Sequence, residues 1–107
     1  MIDAYGCHAG ALRDKAHLAA LLDSAVRELA LKVLGTPQWH QFGGAAGITA
    51  LYLLSESHLT VHTFPETGLA TFNLYCCRPR PVWNWEEQLK QHLGADRVVV
   101  RDTARGE

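Results

Sequence analysis

Apolar and polar residues alternate through the middle of the chain. In SHLTVHTF, residues 57–64, Leu59 and Val61 fall on one side, and His58, Thr60, His62 and Phe64 on the other, because successive strand side chains point to opposite faces. LATFNLYCC, residues 69–77, repeats the pattern. Ala70, Phe72, Leu74 and Cys76 share an apolar side, and Thr71, Asn73, Tyr75 and Cys77 a more polar one. PETG between the two runs reads as a turn, so a hairpin is expected. ITALYLL, residues 48–54, is β-prone and apolar on both faces, as a central strand would be.

Helical spacing appears twice. Leu18, Leu22, Ala25 and Leu29 recur behind Asp14, which can cap the helix they predict. Trp85, Leu89 and Leu93 mark a shorter helix ending near Gly94. MIDAYGC and RVVVR read as a first and a last strand, and QWHQF as a short extended piece. Gly35 and Pro37, the GGAAG run at 43–47 and RPRP at 78–81 interrupt these patterns, and DTARGE is expected to fray. Strands outnumber helices, and two amphipathic helices cover only one face of a sheet. The expected fold is therefore α+β: a two-layer sandwich, mainly antiparallel sheet with two helices on one face. The other face is left wet or covered by a partner.

Length and composition narrow this picture. A chain of 107 residues builds one hydrophobic core, and no repeat or linker divides it, so residues 1–107 read as a single domain. With 48% hydrophobic and 20% charged residues the profile is that of a globular protein. A net charge of −1 without a basic block gives no reason to expect nucleic acid. No apolar run reaches membrane-spanning length, and MIDAYGCHAGAL lacks a signal pattern, so no membrane and a cytoplasmic location are expected. Cys7, Cys76 and Cys77 are an odd number for a disulfide framework, and the adjacent pair lacks zinc-site spacing.

Alternation separates those adjacent cysteines. Cys76 turns to the core, while Cys77 can share the polar face with His62. A strand histidine is ordinarily a hydrogen-bonded surface residue. His58 and His62 lack a third metal ligand in register, so no metal is expected. A Cys–His pair can form a thiol dyad, but such enzymes also need an orienting residue and an oxyanion hole. The pattern thus yields a polar sheet face carrying Ser, His and Cys, and names no reaction.

The block SESHLTVHTFPE, preceded by GIT and followed after a strand by a cysteine, resembles the prokaryotic S-adenosylmethionine decarboxylases. AYGC and WHQF extend the resemblance over most of the chain. It implies a pyruvoyl enzyme of polyamine synthesis that cuts itself between Glu56 and Ser57, giving residues 1–56 and 57–107 held by a shared sheet. Ser57 then becomes the pyruvoyl group that forms a Schiff base with the substrate. The resemblance makes His62 the processing histidine, with Thr49 supporting it where the family more often has serine, and Cys77 the proton donor. It assigns substrate binding to Glu66, Phe64, Phe42 and Leu59, with Phe64 in place of a stacking tryptophan. It also implies a homodimer with active sites near the interface. Asn73 stands where aspartate is usual, and GGAA replaces a proline-containing loop; both bear on the pocket. A pyruvoyl decarboxylase of ornithine or arginine, and a non-catalytic ligand-binding relative, are the alternatives.

Overall fold

Six strands form one sheet in the computed structural model, which describes residues 1–76 and 83–102. In chain order the elements are β1 (Ile2–Tyr5), α1 (Ala9–Leu12), α2 (Lys15–Glu28), β2 (Gln38–Gln41), β3 (Ile48–Leu53), β4 (Ser57–Phe64), β5 (Leu69–Cys76), α3 (Trp85–Leu93) and β6 (Arg97–Val100). The strands lie in the order β2-β3-β4-β5-β1-β6, and every neighbouring pair is antiparallel. The fold is α+β, as expected. RPRP and Cys77 lie outside the described residues, as does most of DTARGE.

Local chemistry sets the helix ends. The Asp14 carboxylate accepts from the His17 N–H at 3.1 Å and starts α2, which buries Leu18, Leu21, Leu22 and Ala25. Asn84 caps α3, and Gly94 ends it in the left-handed conformation at φ 68°, where a residue without Cβ is unstrained. Three helices, not two, occur among the described residues. The extra one, α1, is a single turn of four residues, too short to display a helical period.

All three helices lie against the same sheet face. Thr63 donates to the Leu12 carbonyl of α1 at 2.7 Å, and the Tyr52 hydroxyl donates to Asp23 of α2 at 3.0 Å. The Phe72 ring packs on Trp85 of α3 with centroids 5.5 Å apart. These residues share their face with Ile48, Ala50, Leu59 and Val61, all buried. The opposite face is open. β3 is flanked on both sides in the ladder, yet its outward Leu51 and Leu53 are 39% and 56% exposed. The expectation of an apolar strand buried on both faces is corrected accordingly: the helices cover only one side.

The strand order also departs from the chain order. β1 lies between β5 and β6, pairing Ile2 with Phe72 on one side and with Val100 on the other. Strands from before and after residue 57 therefore interleave in one ladder.

Candidate active site

The open face brings Thr49 and His62 together. They are direct partners across β3 and β4, with Thr49 Oγ1 2.9 Å from His62 Nδ1. His40 of β2 faces Thr49 from the other side in the same row. A ring nitrogen held by a hydroxyl fixes the imidazole's orientation, and the direction of that bond goes with the tautomer, since a hydroxyl can donate or accept. If His62 Nδ1–H donates to Thr49, Nε2 is the basic nitrogen.

Two aromatic residues project beside this pair. The Phe42 N–H donates to the Gly47 carbonyl at 2.8 Å, and Gly47 runs close against β4. A Cβ at Gly47 would sit 2.6 Å from the Thr63 carbonyl oxygen, so the strand approach requires glycine there. Phe42, bonded to Gly47, and Phe64, next to the Thr63 that Gly47 approaches, are 53% and 40% exposed. The His40 ring meets Phe42 edge-on at 4.5 Å. Glu66 is exposed in the turn after β4, where the Thr67 N–H bonds the Phe64 carbonyl at 3.1 Å and Gly68 takes φ 69°.

Ser57 lies at the other end of β4. The β3–β4 hairpin closes with Ser55 and Glu56, both exposed, beyond the pair Leu53↔His58 and a bond from the Leu54 N–H to the Ser57 carbonyl at 3.0 Å. Ser57 is half-buried and pairs with Cys76. Beside it the His58 ring stacks on Tyr75, centroids 5.6 Å apart and 22° from parallel.

The predicted site residues thus divide into two groups. Thr49, His62, Phe42, Phe64 and Glu66 gather at one end, and Glu56 and Ser57 at the other. Five residues along an extended strand span roughly 16 Å. The odd spacing also puts the Ser57 side chain on the face of Leu59 and the His62 side chain on the open one. One copy of the chain does not bring Ser57 and His62 together. Leu59 is completely buried beneath the helices, so its side chain is core and does not line the open face. Cys77 lies outside the described residues. Asn73 is half-buried opposite Thr60. His40 was missed by sequence reasoning, although its alternation with Gln38 and Phe42 in QWHQF places all three on one face.

Other candidate chemistry recedes. Cys7 is buried, and its thiol is pushed up to about 11 by burial and then by the Asp96 charge, which keeps it protonated. Among the described residues no three His, Cys, Asp or Glu side chains converge on a metal position. No described helix is long and apolar enough to cross a membrane.

A family model described as S-adenosylmethionine decarboxylase matches residues 1–106. This chain belongs to that family. The S-adenosylmethionine decarboxylase proenzyme of Clostridium tetani is 31% identical over 114 residues, covering 99% of this chain and 83% of the relative. That of Prochlorococcus marinus is 31% identical over 106 residues, covering 98% and 83%. The Pyrobaculum aerophilum proenzyme is 37% identical over 73 residues, 68% of this chain, and the match spans 58% of the relative's length.

Proposed function

We propose that this chain is a self-processing, pyruvoyl-dependent S-adenosylmethionine decarboxylase. It works in the cytoplasm as a homodimer and supplies decarboxylated S-adenosylmethionine for polyamine synthesis. The observation that carries the reading is the Thr49–His62 hydrogen bond on the open face, beside two exposed aromatic rings.

The residues at position 57 fit a pyruvoyl precursor. The Glu56–Ser57 bond belongs to a two-residue hairpin loop, so cutting it removes no rung of the ladder. Ser57 Oγ attacks the Glu56 carbonyl carbon; the C–N bond breaks as the ester forms, and the hydroxyl proton passes to the released amine. Removal of the Ser57 Cα proton then expels the Glu56 carboxylate from Cβ, and loss of ammonia to water leaves a ketone. The products are residues 1–56 and 57–107. A pyruvoyl carbonyl at position 57 supplies an electron sink for decarboxylation.

The base for the elimination is His62 Nε2, held ready by Thr49. Because His62 is roughly 16 Å along β4 from the Ser57 of its own chain, the histidine is supplied by a second copy. Leu51 and Leu53, exposed on the same open face, support docking of copies through that face, and the proton to be removed sits on the Ser57 Cα, in the main chain rather than on the side chain that faces the helices. Each active site then combines Ser57 of one chain with Thr49, His62 and the pocket of the other, and Cys77 serves as the proton donor.

Phe42 and Phe64 form the walls of a slot for the adenine ring, since aromatic faces stack on a base. Glu66, beyond Phe64, accepts from the ribose hydroxyls. Purified processed protein offered S-adenosylmethionine, ornithine and arginine separately should release carbon dioxide from S-adenosylmethionine alone. Release from an amino acid and none from S-adenosylmethionine would overturn the substrate assignment.

A further inference from the structure

The residues before β2 make a contact that the chemistry above does not use. Gly35, at φ 67°, and Pro37 split the edge of the sheet into two pieces. The later piece is β2. The earlier piece, Lys32–Leu34, turns alongside the tip of the β3–β4 hairpin. There Val33 and Leu54 form an antiparallel bridge. The Leu34 N–H donates to the Leu53 carbonyl at 2.8 Å, and the Ser55 N–H donates to the Lys32 carbonyl at 3.1 Å.

These bonds fall on either side of the bond to be cut. Ser55, just before Glu56, is tied to Lys32. Ser57, just after it, is tied through its carbonyl to the Leu54 N–H at 3.0 Å. Glu56 is therefore held between two main-chain anchors. Acyl transfer from nitrogen to oxygen needs Ser57 Oγ aimed at the Glu56 carbonyl carbon, and such reactions are sensitive to small misplacements. A free two-residue loop would sample many orientations of that carbonyl. A loop pinned on both flanks samples few.

We infer that Lys32–Leu34 is a positioning clamp for self-cleavage, fixing the Glu56–Ser57 peptide for attack. This rests on the reading of Ser57 as the maturation residue. The clamp acts on ester formation, the first step, whereas His62 acts on elimination, the second. The clamp and residues 53–56 all lie before the cut, so the clamp keeps hold of the newly formed Glu56 terminus afterwards.

Hydroxylamine separates the two steps, because it cleaves an ester at Ser57 without need of elimination. Leu34→Pro deletes the N–H that bonds Leu53. Gly35→Val and Gly35→Asn leave every other side chain unchanged, and a Cβ at Gly35 meets nothing within 4 Å. Valine opposes the left-handed backbone there and asparagine tolerates it. Cleavage of freshly refolded protein, followed by intact mass with and without hydroxylamine, is the experiment. Leu34→Pro should slow cleavage roughly tenfold or more, and hydroxylamine should not restore it. Gly35→Val should slow it several-fold while Gly35→Asn cleaves near the parent rate; this pair decides the matter if Leu34→Pro fails to fold. His62→Ala should instead accumulate a species that hydroxylamine cuts at Ser57. Parent-like cleavage of folded Leu34→Pro, or equal rates for Gly35→Val and Gly35→Asn, would overturn the clamp. A parent chain that never cuts at Glu56–Ser57 would overturn the underlying reading instead.

Discussion

Ser57 and His62 occupy one strand, yet their side chains leave opposite faces of the sheet, five residues apart. At about 3.3 Å per residue no side-chain motion closes that gap. The proposed self-cleavage therefore requires processing in trans, and complementation tests it. Ser57→Ala and His62→Ala chains, each inert alone, should cut when co-expressed. The product should come only from the His62→Ala chain, which keeps the serine and receives its partner's histidine. Mass-tagged chains identify which one is cut, and cleavage of His62→Ala alone at the parent rate would contradict the arrangement.

Thr49 should act by holding the His62 ring rather than by filling space. Thr49→Ser keeps the oxygen that bonds Nδ1 and should process at nearly the parent rate. Thr49→Val keeps the shape, loses the oxygen and should slow elimination roughly tenfold to a hundredfold, on the scale of a mis-set general base. A stopped time course of fragment appearance distinguishes them. Equal rates for the two variants would remove the hydrogen bond from the account.

The cut fragments should stay together. Residues 1–56 supply β1, β2 and β3, and residues 57–107 supply β4, β5 and β6, with β1 inserted between β5 and β6. Separation would break the ladders on both sides of β1 as well as the β3–β4 pairing. Native size-exclusion chromatography should give one peak containing both fragments, resolving into two only in denaturant.

Alkaline conditions should weaken the fold through two buried acids. Burial, then the Asp96 charge, raises the Cys7 thiol from 9.0 to about 11. Burial, then the Asp23 hydrogen bond and charge, raises the Tyr52 hydroxyl well above its ordinary 10.0. A raised folded pKa means the contribution is complete below the unfolded value and is lost as pH rises toward the folded one. Stability should therefore fall between pH 9 and 11, with Cys7 contributing at most about 3 kcal/mol and Tyr52 extending the loss above pH 10. Denaturant titrations of Cys7→Ala and Tyr52→Phe across that range should each show a shallower decline than the parent.

Much of this architecture is legible in the chain because its signals are local. The period-two runs of β4 and β5 assign Leu59 and Val61 to the core and His58, Thr60 and His62 to the other face, and the burial agrees. Asp14 and Gly94 mark helix ends by their own backbone chemistry. α1 escaped because a single turn has no period. The Val33–Leu54 bridge escaped because it joins residues far apart in sequence, and a three-residue piece carries almost no alternation. The separation of Ser57 from His62 was readable all along: an odd spacing on a strand means opposite faces.

Intact mass spectrometry of the purified protein under denaturing conditions tests the central claim most directly. Two species should appear, one equal to residues 1–56 and the other to residues 57–107 lighter by one ammonia, as a ketone in place of the serine amine requires. A single mass for the uncut chain after prolonged incubation, or a second fragment that retains an unmodified N-terminal serine, would contradict it.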